Sequence, residues 1–173
     1  MPYLVRKVSL SKWQPKFGVI EGEIPADALS ADLRTFENAL SFWKIESPQD
    51  ANEIGQVALA LIANADKVDR MDLTWIKRES LDSKGIQMNS TEGNTPVKCL
   101  KNLHVDVSCL DMVRCSKIAS IISESIHCQW IIRFTKKDLL KLITGALRGE
   151  LLSIEDLNHK VREAVIRFRS AGN

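Results

Sequence analysis

The chain predicts an α+β or α/β fold: a small mixed sheet with a βαβ crossover in the first half, and three C-terminal helices packed against it. Three observations point there. A strand, helix, strand succession runs from Leu40 to Ile76; from Asp111 onward the apolar residues recur at helical spacing; and 45% hydrophobic with 27% charged residues is the composition of a globular protein. At 173 residues the chain has the size of one ordinary domain, 1–173. Within it a sheet-bearing half (1–88) passes through a connecting stretch (89–110) into a helical half (111–173).

Taken in order, Tyr3 to Val8 is rich in residues that suit a pleated surface and predicts an opening strand. Trp13 and Phe17 follow among Pro15 and Gly18, as aromatic anchors of a loop. Val19 to Ile24 reads as a second short strand or as loop. Leu40 to Ile45, bounded by Asn38 and by Ser47-Pro48, is a strand. Ser47-Pro48-Gln49-Asp50 then supplies a capping hydroxyl, a first-turn proline and an acid at the positive end of the helix dipole. That helix runs to about Ala65 and places Ile54, Ala58, Leu61, Ile62 and Ala65 on one face. Met71 to Ile76 is the next strand, and the crossover between the two predicts parallel strands. Gly85 to Met88 adds an edge strand.

In the helical half, Cys115, Ile118, Ala119, Ile122 and Ile126 form the stripe of a helix from Asp111 to about Ser125. A short Trp130-Ile131-Ile132 run precedes Thr135-Lys136-Lys137-Asp138, a capping box with Asp as its acid. Leu139, Leu140, Ile143 and Leu147 continue that helix to Gly149, and Ser153-Ile154-Glu155-Asp156 opens the last one. A link of roughly five residues keeps these two helices adjacent in space.

No apolar run reaches the roughly 18 residues that would span a bilayer. Met1 to Lys7 places its charges after a short apolar segment, unlike a secretory signal, so a soluble cytoplasmic protein without a membrane partner is expected. Cys99, Cys109, Cys115 and Cys128 form no Cys-x-x-Cys pair, and their apolar neighbours predict reduced, mostly buried thiols. Zinc assembled from His104, His127, Cys99 and Cys128 lacks any closely spaced ligand pair; neither a metal nor another cofactor is expected.

Chemistry concentrates between Asn89 and Asp111. Gly93-Asn94-Thr95-Pro96 is turn chemistry, and its single glycine without a following Lys-Ser/Thr excludes a P-loop. His104 and Asp106 are the sharper pair, with Cys99 as a conceivable nucleophile: a carboxylate beside an imidazole fixes its tautomer for base work. At i and i+2 they share a face of a strand but diverge by about 200 degrees on a helix.

Two further surfaces are candidates. From Ile132 on, nine Lys/Arg face five acids, so Lys136, Lys137, Lys160, Arg162, Arg167 and Arg169 could meet phosphates through a helix pair resembling, in outline, a helix-turn-helix. These cations do not form one stripe. Phe42, Trp43 and Trp13 are aromatic candidates for a protein contact. No residue set has the spacing of a known active site, so the leading expectation is a non-catalytic accessory protein, of the bacterial partner-neutralising kind, that binds another protein. Self-association would be compatible with it. Nucleic-acid binding through the basic helices and an enzyme built on His104 and Asp106 are the rivals.

Overall fold

A computed structural model describes residues 2–14 and 23–171. The expected anchor Phe17 and residues 19–22 of the expected Val19 to Ile24 strand lie outside those residues, and Glu23 and Ile24 belong to no strand. Six strands, β1 (Tyr3–Val8), β2 (Leu40–Ile45), β3 (Met71–Lys77), β4 (Met88–Ser90), β5 (His104–Val107) and β6 (Ile131–Phe134), form one sheet in the order β4-β5-β2-β1-β3-β6. The fold is α+β. Every pairing is antiparallel, which corrects the expected mixed sheet. The reason is β1, which inserts between β2 and β3 and runs against both. β2 and β3 are therefore parallel in direction, as a crossover predicts, but they are not neighbours.

Helices cover both faces. Alternation along β1 sends Val5 one way and Leu4 and Val8 the other, so the central strand serves two cores. On the first face, Val5, Trp43, Ile45 and Leu73 pack with α3 (Ala51–Ala63), α6 (Lys136–Arg148) and α7 (His159–Ala171). α3 is apolar nearly all round because it lies between the sheet and α6, and the Cβ direction of Gly55 meets Leu142 at 3.7 Å. On the second face, Leu4, Phe42, Ile76 and Val105 pack with α1 (Leu10–Trp13), α2 (Ala26–Asp32), α4 (Arg78–Asp82) and α5 (Met112–His127). The three expected C-terminal helices are thus divided between the two faces.

Local chemistry shifts several boundaries. Asp50, not Ser47, caps α3: its carboxylate accepts from the Asn52 N–H at 2.8 Å, while Glu53 reaches back to accept from the N–H groups of Glu46 and Ser47. The Thr135–Asp138 capping box forms as predicted. Ser153 and Asp156 also form a capping box, but it closes a single 3₁₀ turn, Ile154–Asp156, that stops at extended Leu157; α7 starts afresh at His159. β4 is Met88–Ser90, displaced from the expected Gly85 to Met88 because Gly85, at φ 64°, turns the chain after α4. Among the described residues no helix is long and apolar enough to cross a membrane.

The cysteines correct another expectation. All four are unpaired, yet Cys99, Cys109 and Cys128 are exposed and Cys115 is half-buried. Cys99 stands in the 3₁₀ turn Lys98–Leu103, Cys109 in a left-handed turn residue and Cys128 at the cap of α5, positions where the chain bends at the surface. Apolar sequence neighbours say little about exposure where the backbone is not periodic.

Candidate functional site

β2 is the strand on which the polar features converge. Its first half, Leu40 to Trp43, pairs with β5, and its second half, Trp43 to Ile45, pairs with β1. β1 leaves β2 after the Val5 to Trp43 pair but stays with β3 as far as Val8 and Asp72, so a cleft opens in the middle of the sheet. The Arg6 guanidinium bridges it. Nη1 donates to the Ser41 carbonyl at 2.5 Å, Nε donates to the Asp32 carbonyl at 3.0 Å, and Nη2 donates to the same oxygen. Phe42 lies beneath the guanidinium, 5.3 Å from ring centroid to carbon. Burial lowers the Arg6 pKa to about 10, opposed by the charge of Asp32, and the group remains protonated at neutral pH.

Asp32 pins the second side of the cleft. Its carboxylate accepts from the Ser9 N–H at 2.6 Å, the Ser9 hydroxyl at 2.9 Å and the Trp13 indole N–H at 2.7 Å. Trp13 is thereby a structural donor, buried against the second core. The cleft encloses about 360 Å³ between Arg6, Lys7, Asp32, Ser41, Trp43 and Leu61.

On the other flank of Ser41 stand His104 and Asp106, the pair singled out from spacing. β5 is a strand, so both point to one face, opposite Trp43 and Ser41 respectively. Thr91 joins them: its hydroxyl donates to Asp106 Oδ2 at 2.9 Å and lies 2.8 Å from His104 Nδ1. A hydroxyl has one proton, and here the carboxylate takes it, so Nδ1 must carry its own proton and donate to Thr91. Nε2, 3.9 Å from Asp106 Oδ1, is left as the titrating nitrogen. Burial lowers the His104 pKa, and Asp106 pulls it back up. The imidazole is packed edge-on to Trp43 at 5.3 Å and covered by Gly93, where an added Cβ would stand 2.6 Å from Trp43 and 3.0 Å from His104. This geometry is a clasp that fastens the turn after β4 to β5. Thr91 was the member that spacing missed. Cys99 is exposed in the neighbouring 3₁₀ turn and makes no hydrogen bond to either residue among the described residues. Among the described residues, no group of three His, Cys, Asp or Glu side chains converges as a metal site would require.

The aromatic contact candidates are interior residues: Trp13 is 7% exposed, Phe42 0% and Trp43 4%. They serve the two cores, and Trp43 also lines the cleft. Of the basic candidates, Arg162 turns inward to donate to the carbonyls of Glu155 and Leu157, and Arg167 pairs with Glu163 at 3.0 Å. Lys136, Lys137, Lys160 and Arg169 are exposed.

A different surface was not legible from spacing. α2 and α5 border an apolar groove of about 550 Å³, lined by Ile24, Leu29, Leu33, Met112, Cys115 and Ala119 together with Arg34. At its edge Phe36 and Ala39 close a tight turn whose central residues, Glu37 and Asn38, have φ of 50° and 58°. The Leu110 N–H donates to the Asn38 carbonyl at 2.9 Å, bracing this turn against a second one in which Cys109 has φ 55°. Left-handed residues other than glycine cost about 1–2 kcal/mol each, so the rim is held in place at some expense in stability. Met112, 84% exposed, lines the groove, and Phe36, 79%, and Val113, 65%, adjoin lining residues Thr35 and Met112 in sequence. Arg34, which lines the groove, has no ion-pair partner among the described residues, and neither has exposed Glu37 in the adjoining turn.

Fold and surface define a three-layer α+β protein with an open apolar groove on one face and a polar cleft through its sheet. No family model matches this chain, and neither curated proteins nor solved structures yield a match.

Proposed function

We propose that this is a non-catalytic, cytoplasmic binding protein that regulates another protein by seating one of its segments in the α2/α5 groove. The observation that carries the reading is Met112, more than three-quarters exposed where it lines a concave apolar floor, with exposed Phe36 next in sequence to the lining residue Thr35. Isolated exposed hydrophobics are ordinary; a cluster beside a groove of ligand-binding size marks a contact site. Arg34, which lines the groove, leaves a positive charge there, which selects the occupant. The partner segment is an amphipathic helix with large apolar residues on one face and acidic residues flanking them. Four unpaired thiols, three of them exposed, suit a reducing compartment.

The test uses two designed helical peptides with the same leucine face, one flanked by Glu and one by Lys, titrated by fluorescence anisotropy. The Glu peptide is expected to bind at least about tenfold more tightly, and Met112→Asp, at an exposed position, to abolish the difference. Equal affinity for both peptides, or binding unchanged by Met112→Asp, overturns the reading. So does a wild-type dimer in sedimentation that Met112→Asp converts to monomer, because the face would then belong to a second copy of this chain.

A further inference from the structure

The cleft between β1 and β2 is independent of the groove and has a chemistry of its own. Where two central strands part, each leaves backbone groups without ladder partners. Here the gap stays open at about 360 Å³, within the range of small-molecule sites. Arg6 makes three hydrogen bonds here, one to the Ser41 carbonyl of β2 and two to the Asp32 carbonyl at the end of α2. A guanidinium has five N–H groups, so two remain. The carboxylate of Asp32 does not take them: its recorded donors are Ser9 and Trp13. Lys7 lies one residue on, directed to the opposite face of β1, and lines the same cleft without an ion-pair partner among the described residues. Two cations therefore border one cavity that contains a single, already satisfied carboxylate. Trp43 and Leu61 give it an apolar wall.

We infer that this cleft binds a small organic oxyanion, a carboxylate or phosphate carried on a compact apolar body. The anion accepts from the free N–H groups of Arg6 and from the Lys7 ammonium, and the body lies against Trp43 and Leu61. Arg6 is half-buried, so the contact is screened less than a fully exposed pair of the same charges. The ligand replaces no protein hydrogen bond described above; it completes the bonding of a guanidinium already fixed in position.

Isothermal titration and thermal unfolding with inorganic phosphate, benzoate and phenyl phosphate test this. Benzoate or phenyl phosphate should bind at one saturable site and raise Tm by about 3–5 °C at ligand concentrations near ten times Kd. Which of the two binds more tightly decides between carboxylate and phosphate, and inorganic phosphate, lacking the apolar body, should be weaker than phenyl phosphate. Arg6 braces the fold, so the diagnostic variant is exposed Lys7→Gln, which should weaken binding about tenfold with Tm of the free protein unchanged. Met112→Asp should leave this affinity intact, separating the cleft from the groove. No saturable binding by any of the three anions, or binding unaffected by Lys7→Gln, overturns the inference.

Discussion

His104 shows how one side chain's role depends on a neighbour that its spacing does not reveal. The pair with Asp106 was legible at i and i+2, and the strand assignment decides that the two share a face. Thr91, thirteen residues upstream, was not legible, because only the pairing of β4 with β5 brings that turn to His104. The clasp has a pH signature. Burial holds the folded-state pKa of His104 below its unfolded value of about 6.5, so the unfolded chain binds the proton first. The contribution to stability is fully present above about pH 6.5 and is lost as pH falls below it, until the folded state also protonates. Urea unfolding at a series of pH values should show a decline in stability below that point, and His104→Gln should flatten this part of the curve. Superimposable profiles for the two proteins would refute the assignment. The burial of the aromatic candidates was hidden for a related reason: Phe42 and Trp43 alternate into opposite cores, and Trp13 joins that of Phe42 from α1.

At the scale of elements, the long periodic segments were readable and the short ones were not. α3, α5 and α6 fall where their apolar stripes place them, α3 starting at the Asp50 cap and not at Ser47, and the Thr135–Asp138 box forms as expected. Strands of three or four residues, such as β4, β5 and β6, are too short for an alternation to be distinguished from a helical stretch, and α1, α2 and α4 are under two turns. α6 carries one local conflict. The Thr144 hydroxyl is buried without a hydrogen-bond partner, facing the core that α6 shares with α3. Replacing it by a methyl group of similar shape removes that unmet demand, so Thr144→Val should stabilise the protein by about 1 kcal/mol in chemical denaturation. A loss of stability would mean that the hydroxyl has a partner.

For the molecule as a whole, the fold class and the strand, helix, strand succession were readable, but the order of strands in the sheet was not. Nothing near Tyr3 announces that β1 will insert between β2 and β3 and turn an expected parallel contact into two antiparallel ones. That insertion creates the cleft, and placing α5 on the opposite face from α6 and α7 creates the groove beside α2. Both candidate sites are therefore products of long-range topology, beyond the reach of local spacing. The central claim is that the groove, and not the basic C-terminal helices or the His104 clasp, is the surface that meets a partner. Methyl NMR of the protein titrated with the Glu-flanked peptide tests it most directly. The account predicts saturable shifts at the methyls of Leu29, Leu33 and Met112, with those of Val161 and Val165 unmoved; shifts confined to α7, or scattered without saturation, would contradict it.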